Sequence, residues 1–161
     1  MKIFMLMLLG AMLTLGAAPV SQQKASDIDP TLEATALRVL DDYMKAWNKQ
    51  DLAGWENTFH FPHFRLASGK MNVLERAGQQ DAARLWQAID GWHHSEWDHL
   101  RIVHAAADKI HVDTKFSRYR VDGSRLGSYE SLYILTKENG RWVSNYGPAS
   151  PNKSGHKDSL H

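Results

Sequence analysis

Two short segments concentrate the side chains able to do chemistry. Phe59-His60-Phe61-Pro62-His63-Phe64 and Gly91-Trp92-His93-His94-Ser95-Glu96-Trp97-Asp98 each set imidazoles among aromatic rings. Rings make apolar walls and imidazoles titrate near neutral pH, so the combination is the material of a small-molecule pocket. In the first segment, His60 or His63 facing a cavity would act as a base or a hydrogen-bond donor. The structural alternative has one of them capping a helix carbonyl and the other packed against Phe61 or Phe64. In the second segment, adjacent side chains of an extended chain point to opposite faces, so only one of His93 and His94 turns inward. Asp98 would orient that imidazole and make a His–Asp general base, with a solvent-exposed salt link as the alternative.

A second set of candidates lies on the strands that follow. Ile110, Val112, Thr114 and Phe116 share one face of an alternating run, and Asp113, Lys115, Ser117 and Tyr119 share the other. Arg118 follows the apolar set inward, where it would bind an anionic ligand group; otherwise it is a rim arginine whose head reaches water. Glu130 is its expected partner across the ladder. Tyr129, Tyr133 and Tyr146 offer hydroxyls to a ligand carbonyl and are also good strand formers. Trp86, Trp92 and Trp97 read as core or cavity wall.

Seven histidines fall between His60 and His111, yet no pair has the His-x-x-x-His spacing of a helical zinc site. Neither metal nor cofactor is therefore expected. No glycine-rich phosphate loop, nucleophile elbow or basic nucleic-acid stripe is present.

These side chains must be positioned by a rather ordered set of elements. Asp29-Pro30 reads as an N-cap followed by proline in the first helical turn, and Leu32, Ala36, Val39, Leu40, Tyr43 and Trp47 then recur at helical spacing. Asp51 caps a short second helix carrying Leu52, Trp55 and Phe59, which Pro62 stops. His60 and His63 then flank the turn into the sheet, and Phe64 to Val73 is extended around Ser68-Gly69. A third helix is predicted over Gln79 to Asp90, with Gly91 as its stop. After it the period changes to two. Ser95–Ala105, Lys109–Val121, Leu126–Thr136 and Trp142–Tyr146 read as strands, separated by turns at Ala107-Asp108, Asp122-Gly123 and Asn139-Gly140. Short connections predict a sequential antiparallel arrangement. Helices followed by a meander define an α+β fold, a curved antiparallel sheet with about three N-terminal helices on one face. The strands carry enough apolar surface to need cover on both faces, and a second subunit on the outer face would supply it.

Composition narrows the class further. Lys2 followed by an apolar run from Ile3 to Leu15 and the small residues Gly16-Ala17-Ala18 reads as a signal peptide over 1–18, too short for a comfortable membrane span. A flexible leader over 19–28, one domain over 29–147 and a disordered tail over 148–161 complete the expected organisation. With 19 Lys and Arg against 18 Asp and Glu, no strong field directs the chain to nucleic acid or acidic lipid. The absence of cysteine excludes thiol catalysis and disulfide staples, leaving burial to hold the fold.

This order of elements, with Ala46-Trp47-Asn48-Lys49-Gln50-Asp51-Leu52 at the first helix junction and Asn139-Gly140-Arg141-Trp142 opening the last strand, resembles the nuclear transport factor 2-like superfamily. The Phe59–Gly69 and Gly91–Asp98 segments look like its SnoaL-like branch. The resemblance implies a bent sheet wrapped into a cone around a cavity closed by helices, and a homodimer through the outer sheet face. The acid, base and tyrosine sets of the ketosteroid isomerase and scytalone dehydratase members have no matching positions here.

The expected function is that of an exported, periplasmic protein binding a small, largely apolar ligand, without nucleic-acid partners or stable membrane insertion. His60, Phe61, His63, Phe64, Trp86, Trp92, His93, Arg118, Tyr133 and Tyr146 are the candidate ligand contacts; His63, His93 and Asp98 are the candidate catalytic residues. The alternatives are a cofactor-free isomerase, dehydratase or cyclase with a pocket histidine as general base, and a structural or protein-interaction module.

Overall fold

The computed structural model describes residues 28–67 and 70–146. The expected signal peptide and the tail over 148–161 lie outside the described residues, as does nearly all of the expected leader. Helix α1 (Pro30–Asn48) begins where predicted: Asp29 accepts a hydrogen bond from the Thr31 backbone N–H at 2.8 Å and Pro30 occupies the first turn. Its buried stripe of Ala36, Val39, Leu40, Tyr43, Met44 and Trp47 lies against the sheet. Helix α2 (Leu52–Glu56) is capped by Asp51, which accepts from the Gly54 N–H at 2.9 Å.

The chain then departs from the expected course. Phe59 is not helical and Pro62 does not act as a helix stop: β1 (Phe59–Ala67) runs straight through both. Proline is tolerated there because the pairing of β1 with its neighbour is interrupted between Phe59 and Phe64, so no ladder bond is asked of the missing N–H. The Phe61–Pro62 peptide is cis. Strand β2 (Lys70–Leu74) returns antiparallel to β1, and α3 (Ala82–Gln87) is shorter than predicted, starting at an Asp81 cap. Strands β3 (His94–Ala105), β4 (Lys109–Tyr119), β5 (Arg125–Glu138) and β6 (Arg141–Tyr146) follow close to expectation. Asn139 and Gly140 both take positive φ, 49° and 79°, as a tight β5–β6 turn requires.

The six strands form one sheet in the order β2-β1-β6-β5-β4-β3. All pairs are antiparallel except β1 with β6, which is parallel, so the purely sequential meander expected from the short connections holds only from β3 to β6. The inner face, covered by α1, is aromatic. Tyr43, Trp47, Trp55, Phe59, Trp86 and Tyr133 belong to one buried cluster, with Trp92 and Trp97 packed on it. Bulges in β3 at Trp97/His99 and Ile102/His104 bend that edge.

Candidate functional site

One residue ties the end of α1 to the start of β3. The Asn48 side chain donates to the Ser95 carbonyl at 2.8 Å and accepts from the Ser95 N–H at 2.9 Å, pairing with it as another strand would. Gln50, at φ 54°, turns the chain sharply and lets Asp51 cap α2. The Asn48-to-Asp51 stretch of the helix junction is therefore a clamp and a cap in succession. Ser95 is buried by it, and its Oγ accepts a hydrogen bond from Trp92 Nε1 at 2.9 Å.

Beside this clamp, between α1 and the inner sheet face, lies an aromatic cavity. Helix α1 contributes Tyr43, Met44 and Trp47; β3 contributes Ser95 and Trp97; β4 and β5 contribute Phe116, Arg118 and Tyr133; and β1 contributes Arg65. The space between these walls is about 340 Å³ with its open mouth included, but the centre of a water molecule can reach only about 20 Å³ of it. Tyr43 and Tyr133 meet edge to face at 5.4 Å and share a hydrogen bond between their hydroxyls. Burial, and then Tyr43, hold the Tyr133 proton on well above the ordinary tyrosine range. Trp97 stands against both rings and donates its Nε1–H to the Leu40 carbonyl at 3.3 Å.

Both arginines lie over aromatic faces. The Arg118 guanidinium carbon is 4.8 Å from the Tyr129 ring centre, 5.6 Å from Phe116 and 6.0 Å from Trp47, while Arg65 lies 4.9 Å from Trp55. Arg118 faces Gly127 across the ladder, and the Tyr129 hydroxyl fills the place where a Gly127 side chain would project. Burial lowers the Arg118 pKa from its usual value; the neighbouring tyrosines partly counter this and Arg65 adds to it. Glu130, the partner expected for Arg118, pairs instead with Lys115 in the ladder and is exposed.

Of the residues singled out from sequence, Trp97, Arg118 and Tyr133 line this cavity, and the histidines do not. His63 is 1% exposed beneath the sheet, stacked on Phe59 at 3.8 Å with the rings 5° from parallel, and its Nδ1–H donates to the Ser144 carbonyl at 3.1 Å. Burial first, and the Arg65 charge second, lower its pKa to about 4. His60 pairs with Glu138. His93 is exposed on the approach to β3, its Nδ1 3.0 Å from that of His94. Asp98 sits at a bulge and accepts from Ser117 Oγ at 2.7 Å, so the His–Asp pair does not form. Phe61 borders a separate surface cleft beside α2, and Phe64 is exposed on the outer face. Trp86 and Trp92 back the cavity by packing on Trp47 at 5.5 and 5.9 Å. The side chain of Tyr146 lies outside the described ones. Among the described residues no group of three or more His, Cys, Asp or Glu is arranged to hold a metal ion.

Tyr43, Met44, Trp47, Arg65, Ser95 and Phe116 escaped sequence reasoning as site residues. The first three occupy the buried stripe of α1, where a core reading and a cavity-wall reading look alike. Arg65 lies in the stretch read as extended, and alternation from Phe59 and His63 turns it inward once the strand is carried back to Phe59.

An α+β cone with a helix-covered aromatic cavity is the architecture of the nuclear transport factor 2-like fold. The chain belongs to the family described as NTF2-like protein (DUF6841), whose model matches residues 33–143. Solved structures agree on the fold. An NTF2-like protein of unknown function from Pseudomonas putida KT2440 superposes with a TM-score of 0.66 at 15% identity, covering 82% of this chain and 95% of that one. A protein of unknown function with a cystatin-like fold from Nostoc punctiforme gives 0.63 at 12% identity, covering 83% and 97%. A ketosteroid isomerase-like protein from Erwinia carotovora atroseptica gives 0.56 at 16%, covering 74% and 95%. No curated protein matches the chain.

Proposed function

We propose that this chain is an exported small-molecule-binding protein that takes a small, largely apolar ligand into the cavity between α1 and the sheet. The observation that carries this reading is the lining itself: rings of Tyr43, Trp47, Trp97, Phe116 and Tyr133 around a space with a few convergent polar groups. The enclosed volume is close to that of one water molecule, so a ligand enters by displacing the long, unbranched side chains of Met44, Arg65 and Arg118. The sequence of its first 18 residues supports export to the periplasm.

The enzymatic alternative is a cofactor-free isomerase, dehydratase or cyclase, and similarity to a ketosteroid isomerase-like protein speaks for it at the level of fold. It is the weaker reading because the lining contains no imidazole or carboxylate among the described residues. Tyrosine hydroxyls and guanidiniums steady a developing oxyanion, but proton abstraction at neutral pH needs a base.

The two described methionines make a direct test. Met44 lines the cavity, and Met71 is 54% exposed on β2. With methionine methyl groups labelled with carbon-13, neutral aromatic probes such as indole or naphthalene should move the Met44 resonance saturably and leave Met71 unmoved. If no probe moves Met44, or both methyls drift together without saturation, the cavity is filled core and the reading falls.

A further inference from the structure

We propose that the ligand is an apolar carboxylic acid whose carboxylate is held by Arg65 and Arg118 while its ring or hydrocarbon body lies among the cavity aromatics. This rests on the cavity being a binding site and names the class of molecule it takes. Among the described residues, neither arginine forms an ion pair; the pairs that do form use other side chains. The Nε of Arg118 is buried without a hydrogen-bond partner, a state natural structures rarely leave unanswered. Rings at 4.8 to 6.0 Å attract the cation from its faces and the Tyr129 hydroxyl hydrogen-bonds the guanidinium, but the Nε–H is left unanswered. Arginine cannot escape by losing its proton, so the vacant edge calls for an acceptor.

The other polar groups point the same way. The Tyr43 and Tyr133 hydroxyls share one hydrogen bond, which leaves one of the two O–H groups to donate, and the Ser95 oxygen already accepts from Trp92, which leaves its O–H to donate. The cavity therefore presents donors, two of them on cations, and among the described residues it lacks an anion. A carboxylate is acceptor-only, planar, and matched in geometry to the guanidinium fork. The Arg65 charge bears on His63, Arg118 and Tyr133 alike, so its field pervades this side of the core. A planar head also suits a slot between rings better than a tetrahedral phosphate does.

The test compares 2-naphthoate with its neutral isostere 2-naphthamide, each titrated at pH 7 against the Met44 methyl resonance. Naphthoate should bind about tenfold or more tightly than the amide. Arg118→Gln should bring the two within about twofold of each other while amide binding persists, which shows the cavity intact. Arg65→Gln provides the same comparison should the Arg118 variant fail to fold. If the amide binds wild-type protein as tightly as the acid, the cavity reading stands and the carboxylate proposal falls. If neither ligand moves Met44, both fall. If inorganic phosphate moves Met44 as effectively as naphthoate, the apolar body contributes nothing and the proposal is overturned.

Discussion

Lowering the pH should unfold this protein in a way that one buried imidazole dominates. His63 is stacked on Phe59 and donates to the Ser144 carbonyl, with its pKa lowered to about 4 in the fold against 6.5 in an unfolded chain. The unfolded state therefore takes up a proton first, so the contribution of His63 is complete above pH 6.5 and is lost as pH falls toward 4. A separation of about 2.5 pKa units corresponds to roughly 3 kcal/mol, of which about 2.5 kcal/mol is gone by pH 4.5. His63→Phe keeps an aromatic ring on Phe59 but removes the titrating group, and it costs about 1 kcal/mol at pH 7.5 for the lost hydrogen bond. Urea unfolding of both proteins from pH 7.5 to 4.5 checks this: the wild-type stability should fall toward that of the variant and cross below it. Surface carboxylates and other histidines titrate equally in both and cancel in the difference. Parallel pH profiles, or an imidazole resonance for His63 titrating near 6.5, would refute the assignment of a neutral, buried ring.

Three further outcomes are expected. Arg65→Gln should raise the His63 pKa, read by NMR titration, because the Arg65 charge is one of the two influences holding it down; an unchanged value would remove Arg65 from the neighbourhood of that ring. Asn48→Ala should cost about 2–3 kcal/mol in urea unfolding, since two hydrogen bonds are lost and both backbone groups of Ser95 are left without that partner; a loss below about 0.5 kcal/mol would mean the clamp is ornamental. On the outer face, Phe64 stands opposite Val73 and Leu66 opposite Met71, all four exposed. If a second copy covers this patch, sedimentation equilibrium should show a wild-type dimer and a monomeric, folded Leu66→Glu variant, whereas a monomeric wild type would leave the patch uncovered.

The parts of the molecule that sequence reading recovers are those whose signals are local. The stripe of α1, the caps at Asp29 and Asp51, and the Asn139-Gly140 turn each declare themselves within a few residues. Alternation along β4 correctly turned Arg118 inward, because Val112, Thr114 and Phe116 all keep step with it. The failures come from longer range. Pro62 breaks helices and most ladders, and only the interrupted pairing of β1 with β6 explains how it sits inside a strand. With the chain read as helical up to Pro62, alternation cannot group Phe59 and His63 with Arg65 on one inward face. Imidazoles drew attention by their chemistry, yet His63 serves as a flat buried ring and His93 faces solvent. Tyr43 and Trp47 look the same whether the space before them is filled or open.

The placement of β6 bears on the order in which the polypeptide can assemble. Among the described residues it is the last strand to be synthesised, and it stands between β1 and β5, near the middle of the sheet. The three strands before it can zip together from neighbouring segments, but the β1–β2 hairpin has no seat until β6 has emerged and docked. That closure joins segments some eighty residues apart, Phe59 lying beside Ser144, and it carries a larger loop-closure entropy cost than the local hairpins do. Until then His63 and the rings around it lack that cover, so a nascent chain is at its stickiest just before β6 arrives.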